Sequence, residues 1–413
     1  MRILHLTTQD NGGAGKAALR LHEALLLQGV DSHMLLQSKS TKLASTHHIA
    51  STPLQKLSCL LRRIYSRLPL LPYINREKDI FSTTLFCKNR LLIRRIKELN
   101  PDIIHLHWVN SGFLNLQELA AFKKPIIWSL HDTNAYTGGC HVTHHQCTKF
   151  KTHCQKCPML KSNSRFDISY FTFKQKSKLY PKLNLTINGL SSWIAHQARE
   201  SKLLQSTPIT QLPNCIDTST FKPLDKSLAK KILKIHSTKF LIGFGAINGT
   251  QLPRKGYQEL KKALESLPHK EQYQLIVFGS STGEPIAGIE TQFLGYLDDD
   301  ATLALAYNTL DAFITPSLAE NLSNTIMESL SCGTPVIAFD IGGNADLITH
   351  LENGYLASDI HGLQSGILWV REHPNYAQLS QNARESIVKK FDYNPISKQY
   401  IQLYQGLLCS SKD

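Results

Sequence analysis

The sequence has 413 residues, of which 42% are hydrophobic and 19% are charged. This length exceeds what one hydrophobic core usually supports, so it predicts two domains and excludes a minimal binding module. The composition is that of a globular protein, and no low-complexity segment indicates disorder.

Charge is divided unevenly along the chain. The net charge is +14; residues 1–200 hold 28 Lys and Arg against 11 Asp and Glu, and the remaining residues hold 18 against 21. Such an asymmetry predicts that the first half meets an anionic partner, either nucleic acid or a membrane surface.

No targeting or membrane-spanning segment is recognisable in the sequence. The apolar run at residues 3–6 gives way to polar residues before it could form a signal-peptide core. No stretch reaches the roughly 20 apolar residues needed to cross a bilayer. We therefore expect a cytoplasmic protein, in which the nine cysteines stay reduced.

Strand-like apolar runs alternate with helix-like stretches along most of the chain. In the first half, the predicted strands are residues 3–7, 33–36, 103–107 and 126–130, with a helix at 17–28 ended by Gly29. In the second half, they are residues 241–245, 274–278, 312–315 and 335–338. This alternation predicts an α/β fold with two Rossmann-like domains, each a parallel sheet covered on both faces.

A proline-rich polar stretch at residues 206–223 predicts the boundary between the two domains. We assign residues 1–207 to an N-terminal domain and residues 208–391 to a C-terminal domain. The last helix, within residues 392–413, is expected to pack back on the N-terminal domain.

A glycine-rich turn, GGAGK at residues 12–16, follows the first predicted strand. Clustered glycines let backbone amides approach a phosphate at a helix N-terminus, where the dipole favours an anion. A Walker A site is excluded because Lys16 precedes Ala17 and no glycine stands at position 10. A dinucleotide site lacks its acidic residue after the second strand. The alternative of a plain strand-to-helix turn stays open.

Two glutamates mark the richest segment of the second half. Glu320 lies in a predicted loop after a strand, and Glu328 lies in the second turn of the next helix, which Ser323 or Asn324 can cap. Carboxylates at strand ends are good acceptors for sugar hydroxyls, and the helix N-terminus can receive phosphate. Taken alone, both glutamates could equally be solvated surface charges.

These glutamates belong to a series of motifs that resembles one family. The motifs, in order along the chain, are LPNCID at 212–217 with Phe221 and Pro223, RKG at 254–256, LGY at 294–296, E-x7-E at Glu320 and Glu328, and AFDIGG at 338–343. They resemble the retaining GT-B glycosyltransferases of family 4, with Cys215 where glycine is usual. The segment HDTNAYTGGC at 131–140 is similar to a bacterial subgroup related to exopolysaccharide and O-antigen enzymes of the colanic acid type.

The resemblance implies a GT-B fold, in which two Rossmann-like domains face each other across a cleft. It implies that a sugar moves, with retained configuration, from a nucleotide diphosphate sugar of the UDP or GDP type. The implied acceptor is a glycan or lipid-linked glycan in cell-surface polysaccharide or lipopolysaccharide synthesis. No cofactor is implied for catalysis, since placed cations can stabilise the departing diphosphate.

The resemblance also implies roles for residues of the second domain. Glu328 would bind the ribose of the donor and Glu320 the hydroxyls of its sugar. Arg254 and Lys255 would neutralise the diphosphate. Backbone amides at the start of the predicted helix that contains Glu328 would help to bind the diphosphate; these are the amides of Ser323, Asn324 and Thr325. Ala246 departs from the family, which often has a phosphate-binding arginine there.

In the first domain, the resemblance implies that Gly12 and Gly13 face the donor and that His131 contacts the transferred sugar. For His131, a structural hydrogen-bonded pair with Asp132 is the alternative.

A run of three aspartates, Asp298, Asp299 and Asp300, invites a metal-bound DxD interpretation. We reject it, because the run precedes a predicted helix and acidic residues suit a helix N-terminus.

Four cysteines cluster in the first half, with the spacing C-x6-C-x6-C-x2-C. Four thiolates suit tetrahedral zinc, which could order a loop that has little core of its own. Reduced buried cysteines or a redox pair are the alternatives. The cysteines are Cys140, Cys147, Cys154 and Cys157, interleaved with His141, His144, His145 and His153.

Residues 53–72, PLQKLSCLLRRIYSRLPLLP, interleave apolar and basic side chains. This pattern is typical of an interfacial helix drawn to anionic lipid, and it predicts peripheral attachment to the inner membrane face. An ordinary amphipathic helix with a solvated basic face is the alternative. The apolar residues are Leu54, Leu57, Leu60, Leu61, Ile64 and Leu68; the cations are Lys56, Arg62, Arg63 and Arg67, followed by Arg76, Lys78, Lys88, Arg90, Arg94, Arg95 and Lys97.

Two other functions stay open. A sugar-nucleotide epimerase could use the same architecture, since a fold does not fix a reaction. A basic, zinc-containing nucleic-acid-binding protein would explain the charge and the cysteines, but it gives the glutamate pair no role. The sequence also lacks recognition-helix and RNA-binding signatures, so we expect no nucleic-acid partner.

Overall fold

The computed structural model describes residues 1–76, 80–83, 88–143 and 147–410. The chain divides into two compact units. The first comprises Met1–Asn214 and the residues from Ser397 onward, and the second comprises Cys215–Ile396.

The first unit is built on a seven-stranded parallel sheet with the order β3-β2-β1-β4-β5-β6-β7. Its elements along the chain are β1 (Arg2–Gln9), α1 (Gly12–Leu27), β2 (Asp31–Ser38), β3 (Thr46–His48), α2 (Pro53–Tyr65), α3 (Arg90–Leu99), β4 (Ile103–Leu106), β5 (Ile126–Leu130), α4 (Ile168–Leu179), β6 (Leu185–Gly189), α5 (Ser192–Glu200) and β7 (Ile209–Gln211).

The second unit is built on a six-stranded parallel sheet with the order β10-β9-β8-β11-β12-β13. Its elements are α6 (Lys226–Ile232), β8 (Phe240–Gly245), α7 (Tyr257–Glu265), β9 (Tyr273–Phe278), β10 (Glu290–Gly295), α8 (Asp300–Thr309), β11 (Ala312–Thr315), α9 (Asn324–Ser331), β12 (Val336–Phe339), α10 (Asn344–Leu347), β13 (Gly354–Ala357), α11 (Ile360–Arg371) and α12 (Tyr376–Phe391). The last helix of the chain is α13 (Tyr393–Ser410).

The central strands explain why both sheets could be predicted. Every residue of β4, β5, β9, β11 and β12 is buried, which is the pattern of a parallel sheet with both faces covered. The eight predicted strands are confirmed as β1, β2, β4, β5, β8, β9, β11 and β12. Helix α1 begins earlier than predicted, at Gly12, whose φ of 69° makes the turn out of β1.

The division between the units falls between Asn214 and Cys215, whereas we expected it between residues 207 and 208. The physical reason is β7, which pairs with β6 through Ile187 and Ile209 and so belongs to the first sheet. The chain returns to the first unit at Ser397, inside α13, and not at residue 392.

Helix α13 is held on the first sheet by two tyrosines one helical turn apart. The Tyr404 hydroxyl is hydrogen-bonded to His105 Nδ1 at 2.8 Å, and the Tyr400 hydroxyl accepts from Asn188 Nδ2 at 2.9 Å. Both partners lie within buried strands, so the helix covers the sheet by satisfying polar groups as well as by apolar packing.

The aspartate run caps a helix, as predicted. Asp299 is the N-cap of α8, and its carboxylate accepts from the Thr302 amide and hydroxyl, both at 2.7 Å. In the part of the chain that the structure describes, no helix is both long and apolar enough to cross a bilayer.

Candidate active site

The loop between β11 and α9 carries the first candidate site, at the carboxyl end of the second sheet. Glu320 in this loop forms an ion pair with Lys255 from the turn before α7. The backbone fixes the pair, because the Leu318 amide donates to the Arg254 carbonyl at 2.8 Å. Glu320 is 15% exposed and Lys255 is 20% exposed, so both groups remain within reach of a ligand.

Two glycines allow this loop to lie where it does. Gly256 has a φ of 75°, and a Cβ there would lie 1.8 Å from the Pro316 carbonyl oxygen. Gly342 has a φ of 55°, and a Cβ there would lie 1.9 Å from the Glu320 carbonyl oxygen. The RKG and GG motifs therefore contain glycine because the glutamate loop packs against both turns.

The Glu320 carboxyl is ionised at neutral pH. Burial by itself would raise its pKa, but the charge and hydrogen bond of Lys255 lower it, with smaller contributions from Arg254 and Ser317. Arg254 is exposed at the same turn. The loop therefore presents a fixed carboxylate acceptor beside two cations.

Glu328 lies in the second turn of α9 and is buried. Its Oε2 accepts a hydrogen bond from the Tyr307 hydroxyl of α8 at 2.9 Å. The sequence did not identify Tyr307, because a buried tyrosine in a helical pattern is indistinguishable from ordinary core. The Tyr307 hydroxyl therefore orients a carboxylate that is buried in the second unit.

The start of α9 differs in detail from the prediction. Ser323 occupies the N-cap position, but its side chain makes no capping hydrogen bond; its hydroxyl pairs with the Thr325 hydroxyl at 2.9 Å. Asn324 is the first residue of the helix. The dipole and amides at this end suit a phosphate, as the sequence predicts.

His131 directly follows β5 in the first unit and is partly buried. Its Nε2 is hydrogen-bonded to Nδ1 of His107 at 3.0 Å. Asp132 makes its side-chain contacts with other residues: its carboxylate pairs with His141 Nδ1 at 2.5 Å and accepts a hydrogen bond from Trp108 Nε1 at 2.9 Å. The alternative of a His131–Asp132 pair is therefore wrong.

The histidines around this position are uncharged at neutral pH. Burial lowers the pKa of His131 and of His22 to about 4 and that of His105 to about 3. Burial and neighbouring histidines also lower the pKa of His5 and His107 far below the ordinary value. Sequence reasoning missed this cluster, although the alternating IHLH of β4 and the residue after it could have indicated it.

Gly12 and Gly13 open α1. A Cβ at Gly15 would lie 2.5 Å from the Gln9 carbonyl oxygen, and Gly12 has a positive φ, so both serve the turn itself. A Cβ at Gly13 would meet no atom within 4 Å. The plain-turn alternative thus explains Gly12 and Gly15 but not Gly13.

The four cysteines line one small cavity in the first unit. Cys140 Sγ and Cys157 Sγ lie 3.6 Å apart, and Cys154 Sγ accepts from the Gly138 amide at 3.2 Å. Across the described ranges, the one set of three potential metal ligands within 4.8 Å of one another is His5, His105 and His107. No three cysteine thiols meet that spacing, and His144 and His145 lie outside the described residues.

The basic and apolar segment forms α2 and the turn after it. We call its outward side chains the α2 apolar patch: Leu54, Leu57, Leu60, Ile64 and Leu68. Leu54 is 80% exposed and the others are 47–54% exposed. An amphipathic helix that packs its leucines on the domain is therefore wrong.

The side of α2 that faces the unit contains Cys59 and Arg62. Cys59 is buried, and Arg62 donates to the Gly112 carbonyl at 3.1 Å and the Lys88 carbonyl at 2.7 Å. Arg62 is thus an anchor of the helix, while Lys56, Arg63 and Arg67 are exposed beside the apolar patch. Lys78 lies outside the described residues.

Comparison with known proteins defines the class. Sucrose-phosphate synthase from Thermosynechococcus elongatus is 18% identical, with a TM-score of 0.70 over 99% of both chains. Anabaena HepE, solved in complex with UDP and glucose, is 17% identical, with a TM-score of 0.67 over 98% of this chain and 100% of its own. The two parallel α/β units therefore have the GT-B fold, as predicted.

The sequence comparisons give the family. The description "Glycosyltransferase Family 4" matches residues 11–220, and "Glycosyl transferases group 1" matches residues 226–386. The putative colanic acid biosynthesis glycosyl transferase WcaC of Escherichia coli (strain K12) is 26% identical over 98% of this chain and 100% of its own length. The chain belongs to glycosyltransferase family 4 and is a glycosyltransferase, which confirms the predicted family and enzyme class.

The buried histidines predict a loss of stability in acid. A histidine whose pKa is lower in the folded protein than the unfolded value of 6.5 binds fewer protons when folded, so its contribution is complete above pH 6.5 and is lost as pH falls toward the folded pKa. For His22 that window runs from 6.5 to about 4.

We expect the free energy of unfolding, and with it the Tm, to fall between pH 7 and pH 5. His22→Gln should reduce the slope of the free energy of unfolding against pH by about 1.4 kcal/mol per pH unit at most. Differential scanning calorimetry at five pH values measures both. His236→Gln, at an exposed position, is the control and should leave the slope unchanged. Equal slopes for the wild type and His22→Gln would contradict the assignment.

Proposed function

We propose that this glycosyltransferase moves a sugar, with retention of configuration, from a UDP- or GDP-type nucleotide sugar to a glycan or lipid-linked glycan. The observation that carries the proposal is the convergence of Glu320, Lys255 and the start of α9 in the second unit. A carboxylate acceptor, a cation and a helix N-terminus are the groups that a sugar and its diphosphate require.

The donor site works mainly by electrostatics. When the bond between the sugar and the diphosphate breaks, negative charge grows on the leaving phosphate oxygen. That charge is stabilised by Lys255, Arg254 and the backbone amides at the start of α9, so the proposed reaction does not require a divalent metal. Glu320 holds Lys255 in place before the donor arrives, which lowers the cost of organising the site.

Glu328 binds the ribose of the donor. Its carboxylate is buried and is oriented by the Tyr307 hydroxyl at 2.9 Å. Ribose hydroxyls would bind to this carboxylate, which is the role that the resemblance implies. His131, Gly12 and Gly13 belong to the first unit, and the roles that the resemblance implies for them stay predictions.

The pathway is inferred from relatives. WcaC is named for colanic acid biosynthesis, and HepE was solved with UDP and glucose. We infer a role in bacterial cell-surface polysaccharide synthesis, with the enzyme in the cytoplasm and peripheral on the inner membrane face.

Donor-site substitutions test the proposal. Glu328→Gln and Lys255→Ala should lower transfer by at least about 100-fold, because each removes a group that binds the donor or the departing charge. Thermal shift with a panel of nucleotide diphosphates identifies the base, since a ligand at 100 times its dissociation constant stabilises by about 2.7 kcal/mol. Transfer is then measured by product analysis with the true donor.

The matched control is Lys261→Ala, which removes an exposed Lys–Glu pair with Glu284 elsewhere in the second unit. It should keep full transfer and the wild-type Tm. Unchanged turnover in Glu328→Gln or Lys255→Ala would refute the corresponding role. Products in which the donor sugar is altered but is not joined to an acceptor would instead identify an epimerase.

We also propose that the α2 apolar patch docks on an anionic membrane. Contiguous exposed leucines on a monomer mark an interaction surface, and the exposed Lys56, Arg63 and Arg67 beside them select a negatively charged one. A lipid-linked acceptor would be held on that surface.

Liposome co-sedimentation measures this docking. The wild type should bind phosphatidylglycerol vesicles and not neutral vesicles, and Leu57→Gln with Ile64→Gln should abolish binding. Arg63→Ala with Arg67→Ala should weaken it by roughly 2 kcal/mol and reduce its salt sensitivity. The control, Leu228→Gln with Ile232→Gln, changes two equally exposed residues of α6 and should bind normally. No wild-type binding at physiological salt would exclude the docking.

Finally, we propose that Cys140, Cys147, Cys154 and Cys157 hold a structural zinc ion. Two thiolates on one tetrahedral zinc lie about 3.8 Å apart for Zn–S bonds of about 2.3 Å. The Cys140–Cys157 separation of 3.6 Å fits this geometry, and the Gly138 amide supplies an outer hydrogen bond to Cys154. Cys147 and Cys154 line the same cavity and would close around the ion.

Elemental analysis of protein purified without chelator should find about one zinc per chain. Cys154→Ser and Cys157→Ser should lose it and lower the Tm, because metal binding contributes to folding. Cys409→Ser, at an exposed position on α13, should keep the zinc. A metal-free wild type would rule the site out.

A further inference from the structure

A line of hydrogen-bonded imidazole rings runs from His131 into the first sheet. His131 Nε2 is 3.0 Å from His107 Nδ1, and His107 Nε2 is 3.0 Å from His5 Nδ1. His5 lies in β1, His107 directly follows β4 and His131 directly follows β5, so three neighbouring strands bring the rings together.

The neighbouring histidines take no part in this line. His105 is hydrogen-bonded at 2.8 Å to Ser129 and at 2.8 Å to Tyr404. His22 is hydrogen-bonded to Ser32 at 2.7 Å and Ser45 at 2.8 Å. Both rings therefore have both nitrogens engaged. His5 Nε2, at the inner end of the line, is buried with no hydrogen-bond partner in the described parts of the chain.

The line admits two arrangements of protons. An uncharged imidazole has one N–H, so each ring donates to one neighbour and accepts from the other. In the outward arrangement, the N–H groups are directed toward His131: His5 donates to His107, and His107 donates to His131 Nε2. In the inward arrangement, they are directed toward His5: His131 donates through Nε2, His107 donates to His5, and His5 carries its own proton on Nε2.

The unpartnered Nε2 of His5 decides between these arrangements. The inward arrangement buries an N–H without an acceptor there, whereas the outward one leaves only a lone pair. Buried donors without acceptors are the rarer and costlier case. The outward arrangement is therefore favoured, and His131 accepts at Nε2 and carries its proton on Nδ1.

We propose that His107 is a positioning residue that fixes the ring and tautomer of His131, so that its Nδ1–H is presented as a hydrogen-bond donor. The group that receives this bond is a hydroxyl of the transferred sugar. His5 acts one step earlier, because its hydrogen bond fixes the tautomer of His107, a constraint that an amide at position 107 does not need. This inference rests on the role of His131 in the proposed function. In the described residues, His131 Nδ1 makes no hydrogen bond with the protein.

The arrangement requires uncharged rings. A second proton on His107 would leave two N–H groups facing one another and break the line. Burial prevents this, because it keeps the pKa of His131 at about 4 and that of His107 far below the ordinary value. His131 is thus a neutral donor at pH 7 and not a general base at Nδ1.

Two substitutions of His107 separate its two contacts. Asn places an amide where His has Nδ1, so His107→Asn can still donate to His131 but loses His5. Gln places its amide where His has Nε2, so His107→Gln can keep His5 but loses His131. We expect His107→Asn to keep kcat within about 3-fold of the wild type and His107→Gln to lower kcat by about 10- to 100-fold.

His105→Gln is the matched control, because it alters the same buried cluster without touching the line to His131. It should keep kcat even if its Tm falls as far as that of His107→Gln. Equal kcat in the two His107 variants, or an equal loss of kcat in His105→Gln, would overturn the positioning role.

Nitrogen-15 NMR of histidine-labelled protein tests the line without any activity measurement. The His131 resonances, assigned by their loss in His131→Gln, should show a protonated Nδ1 and an unprotonated Nε2 at pH 7. His107→Gln should remove that preference. A proton on Nε2 of wild-type His131 overturns the proposal. The expected tautomer together with full transfer by His131→Gln would instead refute the proposed role of His131 and leave the line intact.

Discussion

A parallel sheet covered on both faces constrains where this enzyme can place polar chemistry. The central strands are buried along their length, so an unpaired polar group within them carries a large desolvation cost. The ends of the strands are the places where side chains can be polar and reachable. Glu320 follows β11, His131 follows β5, and the turn that carries Lys255 precedes α7 after β8. Apart from Glu328, which lies in α9, these candidate site residues of both units therefore lie in loops and turns that follow strands.

Close backbone contacts join the loops of the second unit. Gly256 and Gly342 let two turns approach the glutamate loop to distances that a Cβ would forbid. The Lys255–Glu320 pair therefore forms between two turns whose backbones are already in contact. A site organised in this way loses little conformational entropy when it binds a donor.

The sequence was informative where one residue type has one physical use. Continuous apolar runs located the strands, glycines located the turns, and the Glu320–Glu328 spacing drew attention to the loop that carries the Lys255–Glu320 pair. It was uninformative where the partner decides the role. Tyr307 and His107 look like core residues until Glu328 and His131 are placed beside them. Arg62 looked like a lipid-binding cation, yet it is the anchor of α2, because only the structure shows which side of that helix faces the unit.

The histidine line places polar side chains within and beside the covered sheet of the first unit, where burying them is costly. Uncharged, buried imidazoles lower stability in acid, and one of them leaves a nitrogen unsatisfied. Leu or Ile at positions 5 and 107 would fill a parallel sheet without either cost. His105 is accounted for by its bonds to Ser129 and α13, whereas His107 has His5 on one side and His131 on the other. Stability therefore does not explain a histidine at position 107. The contact of His107 with His131, at the end of β5, does explain it, because a positioning role requires a polar ring at this position.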